Sequence, residues 1–223
     1  MSNWKQSYRS FYYEKAEDPE DLSLKVEETA LLVIDIQNTY LEAPADISEK
    51  ERWKPFLERM ERIVIPNTGD LIGWARKTGI EVIFARIACL TKDGRDRSLS
   101  QKKPGFNYLL LPKDEEESQI VDKLSPREDE ITVLKTTDSA LTGTNLRLVL
   151  HNLGIKNVIA AGIFTDQCVS STVRSLADES FNVIVLDDCC AAATEKLHTH
   201  ELEVINMIYC HVMTMSDIKK MVI

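Results

Sequence analysis

Cys168 stands in AGIFTDQCVSST, residues 161–172, where an apolar run stops and a helical pattern begins. The first backbone N–H groups of a helix have no partner within it and favour negative charge. A cysteine there is placed to become a nucleophile, because an ordinary thiol of pKa about 8.5 is only a few per cent ionised at neutral pH. Two further reactive side chains end apolar runs. Asp35 follows LLVI directly, and Lys135 closes EITVLK. Open α/β sheets bind ligands outside the carboxyl ends of their strands, so all three residues are expected to face one crevice. In that crevice Asp35 takes the thiol proton and returns it to a leaving amine, while Lys135 holds the carboxylate in place. Free N–H groups around Cys168 bind the oxyanion of a tetrahedral intermediate.

Each residue also has an inert reading. A strand-end Asp often forms a turn or caps a helix, a strand-end Lys is usually solvated, and a Cys early in a helix is more often structural than catalytic. Asp35 is the hardest to dismiss, because burying a carboxylate in ALLVIDIQ is costly unless it is paired. No histidine stands out as a partner for the thiol. His151 lies late in one amphipathic pattern, and His198 and His200 lie in another.

The elements that must position these residues are legible as short apolar runs. ETALLVIDIQ predicts a buried strand over about 30–36. Further strands are predicted in IEVIFARIA, EITVLK, KNVIAAGIF, FNVIVLDD and CHVMT. Such Val- and Ile-rich runs suit parallel strands covered on both faces. Helical patterns alternate with them. PNTGDLIGWARKTG has a Pro start and a Gly stop. TGTNLRLVLHNLG sets Leu146, Val149, Leu150 and Leu153 on one face, and TDQCVSSTVRSLADES sets Val169, Val173, Leu176 and Ala177 together. EKLHTHELEVINMIY does the same with Leu197, Val204, Ile205 and Ile208. The alternation predicts an α/β fold: a single-domain, Rossmann-like three-layer sandwich around a mostly parallel six-stranded sheet. Residues 1–27 read as an N-terminal extension and 28–223 as the domain. Residues 90–118 form a long break in the rhythm. Its PGFNYLLLP stretch is apolar enough to be a lid or an interface.

Composition narrows the classes. The chain has 223 residues, 43% hydrophobic and 28% charged, enough for one well-buried domain. Its net charge of −9 argues against nucleic acid and against anionic membrane surfaces. No apolar run reaches the roughly 20 residues of a membrane span. The N-terminus lacks a secretion signal, so a cytoplasmic protein is expected. Five cysteines, an odd number with no CxxC pair, argue against a disulfide framework and a structural zinc site. Cys189 and Cys190 read as small buried residues.

Taken in order, LLVIDIQNTY, LKTTDSALTGTNL and AGIFTDQCVSSTVRSLADESFNVIVLDDCCAA resemble the isochorismatase-like cysteine hydrolase superfamily, over roughly Glu28 to the C-terminus. That superfamily includes nicotinamidases, N-carbamoylsarcosine amidases, biuret hydrolases and ureidoacrylate amidohydrolases. The resemblance implies Asp35 as general base and acid, Lys135 as its cationic partner and Cys168 as the acyl-forming nucleophile. It also implies a cis peptide between Ile163 and Phe164 that turns the Phe164 N–H toward the oxyanion, and a substrate pocket including Gln37 and Tyr40. No cofactor is implied. The expected substrate is a small amide or ureide, and the expected assembly is a homo-oligomer, a dimer or tetramer.

Departures from the family refine this expectation. Isochorismatases proper lack a nucleophilic cysteine, so Cys168 places the chain with the amidases. Nicotinamidases carry an Asp-x-His and a further His for a metal; the segment 41–66 contains no His, so no metal site is expected. Thr39 stands where many members have an acidic residue, and Phe164 where many have a small one. The resulting expectation is C–N bond hydrolysis through a thioester. A nicotinamidase-like carboxamide amidase and a non-enzymatic thiol sensor are the alternatives. The substrate itself is not readable from sequence.

Overall fold

The computed structural model describes residues 3–104 and 108–223. Six strands, β1 (Thr29–Ile34), β2 (Glu81–Ile87), β3 (Ile131–Lys135), β4 (Asn157–Ile163), β5 (Asn182–Ala191) and β6 (His211–Met213), form one sheet in the order β3-β2-β1-β4-β5-β6. Every neighbouring pair is parallel. The six apolar runs read from sequence are these six strands.

Two layers of helix cover the sheet. Ala30, Leu32 and Ile34 of β1 pack on one face with helices α3 (Leu146–Asn152), α4 (Ser170–Asp178) and α5 (Glu195–Ile205). Leu31 and Val33 pack on the other with α1 (Ile47–Arg59), α2 (Ile65–Thr78) and α6 (Met215–Ile218). The period-2 alternation of a strand thus serves two cores.

Three helical expectations need correction. The helix before β2 does not start at Pro66. It continues from α1 through a π turn at Met60–Val64, where the Ile65 N–H donates to the Met60 carbonyl. Proline cannot donate to the ladder and crowds the carbonyl four residues back. The wider turn just before Pro66 lets the helix run on. In α5, Leu197 and Val204 are exposed, and so is Ile208 beyond its end. The buried face is His198, Leu202 and Ile205. The helix is rotated because His198 is the inward residue, its ring satisfied by hydrogen bonds. In α3 the buried face is Leu146 and Leu150, and Leu153 is exposed.

The N-terminal segment packs on the domain. The Tyr8 hydroxyl donates to Asp187 at 2.8 Å, Asn206 Nδ2 donates to the Ser7 and Tyr8 carbonyls, and Leu24 bridges to Val222. In the long 90–118 segment, short 3-10 turns at Ser100–Lys102 and Glu116–Ser118 break the coil. Part of PGFNYLLLP, residues 105–107, lies outside the described residues.

Gly162 shapes the sheet where chemistry is expected. Its φ is 134°, and a Cβ there would lie 2.0 Å from the Ile34 carbonyl oxygen, one residue before Asp35. It pairs with Ile34, beside a register shift in β4. Only glycine combines that φ with so close a backbone approach. Gly162→Ala is expected to push β1 and β4 apart, costing roughly 1–3 kcal/mol or more and most of the activity. A urea titration checks this; an unchanged midpoint would contradict it.

Candidate active site

The sheet order reverses between β1 and β4, the switch point at which open α/β sheets bind ligands. Asp35 leaves the end of β1 there, and Cys168 lies in a π-helical turn, Thr165–Val169, following β4. Lys135 is the last residue of β3 and pairs in register with Ile87 of β2. The three residues thus meet from three separate strand ends.

Asp35 is held rigidly. It sits in the left-handed region at φ 54°, uncommon for a non-glycine residue and enriched at functional sites. Its own N–H donates to the Ala85 carbonyl, and Oδ1 accepts the Ile87 N–H at 2.9 Å. Oδ2 lies 2.7 Å from Lys135 Nζ. Lys135 also donates to the Thr137 carbonyl at 3.1 Å. Both residues are 1% exposed. The pairing answers the cost of burying the carboxylate.

The Cys168 thiol feels the charges of both Asp35 and Lys135. Burial pushes its thiol well above the ordinary value, Asp35 pushes it further, and Lys135 offsets part of this. Burial and the Asp35 charge thus work against the thiolate that a helix start favours. Burial also raises Asp35, although Lys135, the thiol and the Ile87 N–H all pull the other way. For Lys135, burial works downward, but Asp35 and Cys168 outweigh it and hold the ammonium above its ordinary value. Burial raises other thiols too, Cys190 to about 12. What distinguishes Cys168 is its company and its position on a cavity.

That cavity encloses about 390 Å³. Asp35, Cys168, Ile163, Phe164 and Tyr40 line it, and the peptide between Ile163 and Phe164 is cis. Tyr40 and Phe164 meet edge-to-face at 5.4 Å, and Trp53 extends the aromatic wall. Gln37 does not line the cavity, which corrects the expectation for it. It is fully buried, donating to the Ile87 and Ser118 carbonyls and accepting from the Ile87 N–H. It ties the long 90–118 segment to β2, beside the Asp35 carboxylate, and so supports the site without facing it.

Sequence reasoning missed several lining residues. Gln101 and Tyr108 reach the cavity from the long segment, and Asp138 from the loop after β3. Asp138 was within reach of sequence reading, three residues past Lys135 in LKTTDS. Gln101 had no local signal. His198 was also missed. Its Nδ1 lies 2.8 Å from the Thr165 hydroxyl and its Nε2 2.8 Å from Asp187 Oδ1. Nε2 also lies 2.9 Å from Arg59 Nη2, so both ring nitrogens are engaged and Nδ1 ties His198 to Thr165 at the start of the turn that carries Cys168. Among the described residues no three His, Cys, Asp or Glu side chains converge as a metal site would require, and no helix is long and apolar enough to cross a membrane.

Comparison with known proteins agrees with this layout. The chain is 33% identical over 175 residues to a protein of Arabidopsis thaliana named a "probable inactive nicotinamidase", covering 77% of this chain and 84% of that one. It is 32% identical over 191 residues to the ureidoacrylate amidohydrolase RutB of Pseudomonas syringae pv. syringae, covering 79% and 76%. Among solved structures, a cysteine hydrolase from Pseudomonas syringae pv. phaseolicola superposes with a TM-score of 0.76 at 19% identity, over 92% of this chain and 98% of that one. That likeness speaks for the fold. The isochorismatase domain model matches residues 29–217, nearly the whole sheet and its helices, and the chain belongs to the isochorismatase family.

Proposed function

We propose that this protein is an amidohydrolase that cleaves a C–N bond of a small amide or ureide through a thioester on Cys168. The observation that carries the reading is the placement of Asp35 and Cys168 on the wall of one cavity, with Lys135 buried behind Asp35 and 2.7 Å from its carboxylate. Asp35 takes the proton from Sγ as sulfur attacks the carbonyl carbon. The N–H groups of Phe164 and Cys168 receive the oxyanion. As the intermediate collapses the C–N bond breaks, and Asp35 passes its proton to the departing nitrogen. Asp35 then takes a proton from water as its oxygen attacks the thioester carbon; the C–S bond breaks, the acid or carbamate leaves, and Asp35 returns the proton to Sγ. Lys135 keeps Asp35 oriented and its charge balanced at each stage.

The buried thiol fits this scheme. A thiol that shares its cavity with a carboxylate is a nucleophile activated during the step. A thiol sensor needs the thiolate but has no use for a proton shuttle.

The test is release of ammonia or amine from a panel of carboxamides and ureides, nicotinamide included because of the Arabidopsis relative's name. We expect turnover of at least one member, undiminished by a chelator. Dependence on an added divalent ion would show that the cavity recruits a metal. No turnover across the panel, with Cys168 reacting only with oxidants, would favour the sensor.

A further inference from the structure

We propose that the cavity selects amides and ureides that carry no carboxylate, and takes uncharged or cationic substrates, with Asp138 as the residue that sets this preference. The inference deepens the C–N hydrolase reading and rests on it for the kind of compound bound. The charged residues lining the cavity are Asp35 and Asp138, and no Lys, Arg or His lines it among the described residues. Asp35 is already balanced by Lys135, 2.7 Å away and sealed behind it at 1% exposure. Asp138 has no such balance. It forms no hydrogen bond or ion pair among the described residues, and its charge is felt by both Cys168 and Tyr40.

Arg97 stands behind the cavity wall, 4.7 Å over the Tyr108 ring, and does not itself line the cavity. Arg97, 8% exposed, donates to the carbonyls of Gly94, Gln101 and Leu109. Lys102 donates to the Arg95 carbonyl. The three residues outside the description, Gly105, Phe106 and Asn107, carry no charge. A smaller cavity of about 160 Å³ shares Tyr40, Trp53 and Phe164 with the first, and its one charged lining residue is Glu42. The walls of the two cavities are therefore aromatic, and their charged lining residues acidic. Aromatic faces attract cations, and an unbalanced carboxylate repels anions in a low-dielectric site.

Among the neutral donors lining the cavity, Gln101 is 2% exposed, and its Nε2 has no partner among the described residues. A substrate carbonyl can take that donor while its N–H groups face Asp138. Ureidoacrylate, by its name the substrate of several relatives, bears a carboxylate. On this inference it is not the substrate here.

The test uses small alkylating probes, so it does not depend on knowing the substrate. Iodoacetamide, iodoacetate and 2-bromoethylammonium are reacted with the full-length protein, and labelling of Cys168 is followed by peptide mass spectrometry. Each rate is divided by that for free cysteine at the same pH. We expect the neutral and cationic probes to outrun iodoacetate by tenfold or more on this scale. Asp138→Asn should shrink the gap at least threefold, chiefly by speeding iodoacetate. Iodoacetate reacting as fast as iodoacetamide would overturn the charge preference. A gap that Asp138→Asn leaves unmoved would overturn the role of Asp138. Failure of the C–N hydrolase reading shows separately, as no turnover of any amide, and leaves the probe ranking to decide this inference.

Discussion

Cys168→Ala is expected to lose turnover by a factor on the order of 10⁴–10⁶, as for removal of a covalent nucleophile elsewhere. The residue is 4% exposed, and the substitution deletes one sulfur from a site bounded by backbone and a salt bridge. Its effect on stability should be about 1 kcal/mol or less. Substrate should still bind, because the cavity wall and the Phe164 peptide are unchanged. Steady-state kinetics together with a binding titration check both halves. Turnover within tenfold of wild type would mean that sulfur takes no part in bond making.

Asp35→Asn is expected to be the second most damaging change. It keeps the shape and an acceptor for the Ile87 N–H but cannot carry the proton in either direction. General acid–base help contributes roughly 10²–10⁴-fold, and here one residue serves the attack, the departure and the hydrolysis. The loss should therefore lie at the upper end of that range or above it.

The signs of the thiol shifts make the prediction sharper. Asp35 raises the Cys168 thiol and Lys135 lowers it. Removing the carboxylate charge while keeping the ammonium should move the Cys168 ionisation to lower pH. Lys135→Ala should move it to higher pH. Alkylation of Cys168 measured against pH would then show midpoints displaced in opposite directions, although both variants lose turnover. Asp35→Asn would be a poorer catalyst with a more readily ionised thiol. Coincident profiles in all three proteins would show that neither residue is coupled to the sulfur.

Much of this architecture was legible in the chain because buried parallel strands must be apolar along their whole length. LLVI, VIFA and NVIV have few other readings. The site residues were visible for the same reason: Asp35 and Lys135 interrupt those runs at their carboxyl ends, where a charge is costly unless it has a purpose. Helix α1 was not visible. Its inward residues, Phe56 and then Met60 and Val64 in the π turn, are scattered among charges, and Pro55 and Pro66 read as breakers. A proline within the helix and a π turn keep the path helical, and neither has a simple periodicity. The α5 face was misread because hydrophobic patterning counts His198 as polar, whereas Asp187 and Thr165 satisfy its ring from elements distant in sequence.

Gln37 shows the opposite error. The family resemblance implies a place in the substrate pocket, yet its amide is spent on backbone groups of Ile87 and Ser118. Which side chains line the cavity depends on how the 90–118 segment folds back over β1 and β2. That is a tertiary property with no local signature. Gln101 emerges only once the chain is folded.

The central claim is the covalent acyl intermediate on Cys168, and rapid quenching tests it most directly. The enzyme is mixed with a substrate from the amide and ureide panel, quenched in acid within milliseconds to seconds, and weighed intact and after digestion. The account predicts a transient adduct with the mass of the acyl group, confined to the Cys168 peptide, labile to hydroxylamine and absent from Cys168→Ala. Full turnover with the Cys168 peptide unmodified at every time point, under conditions that preserve a model thioester, would contradict it.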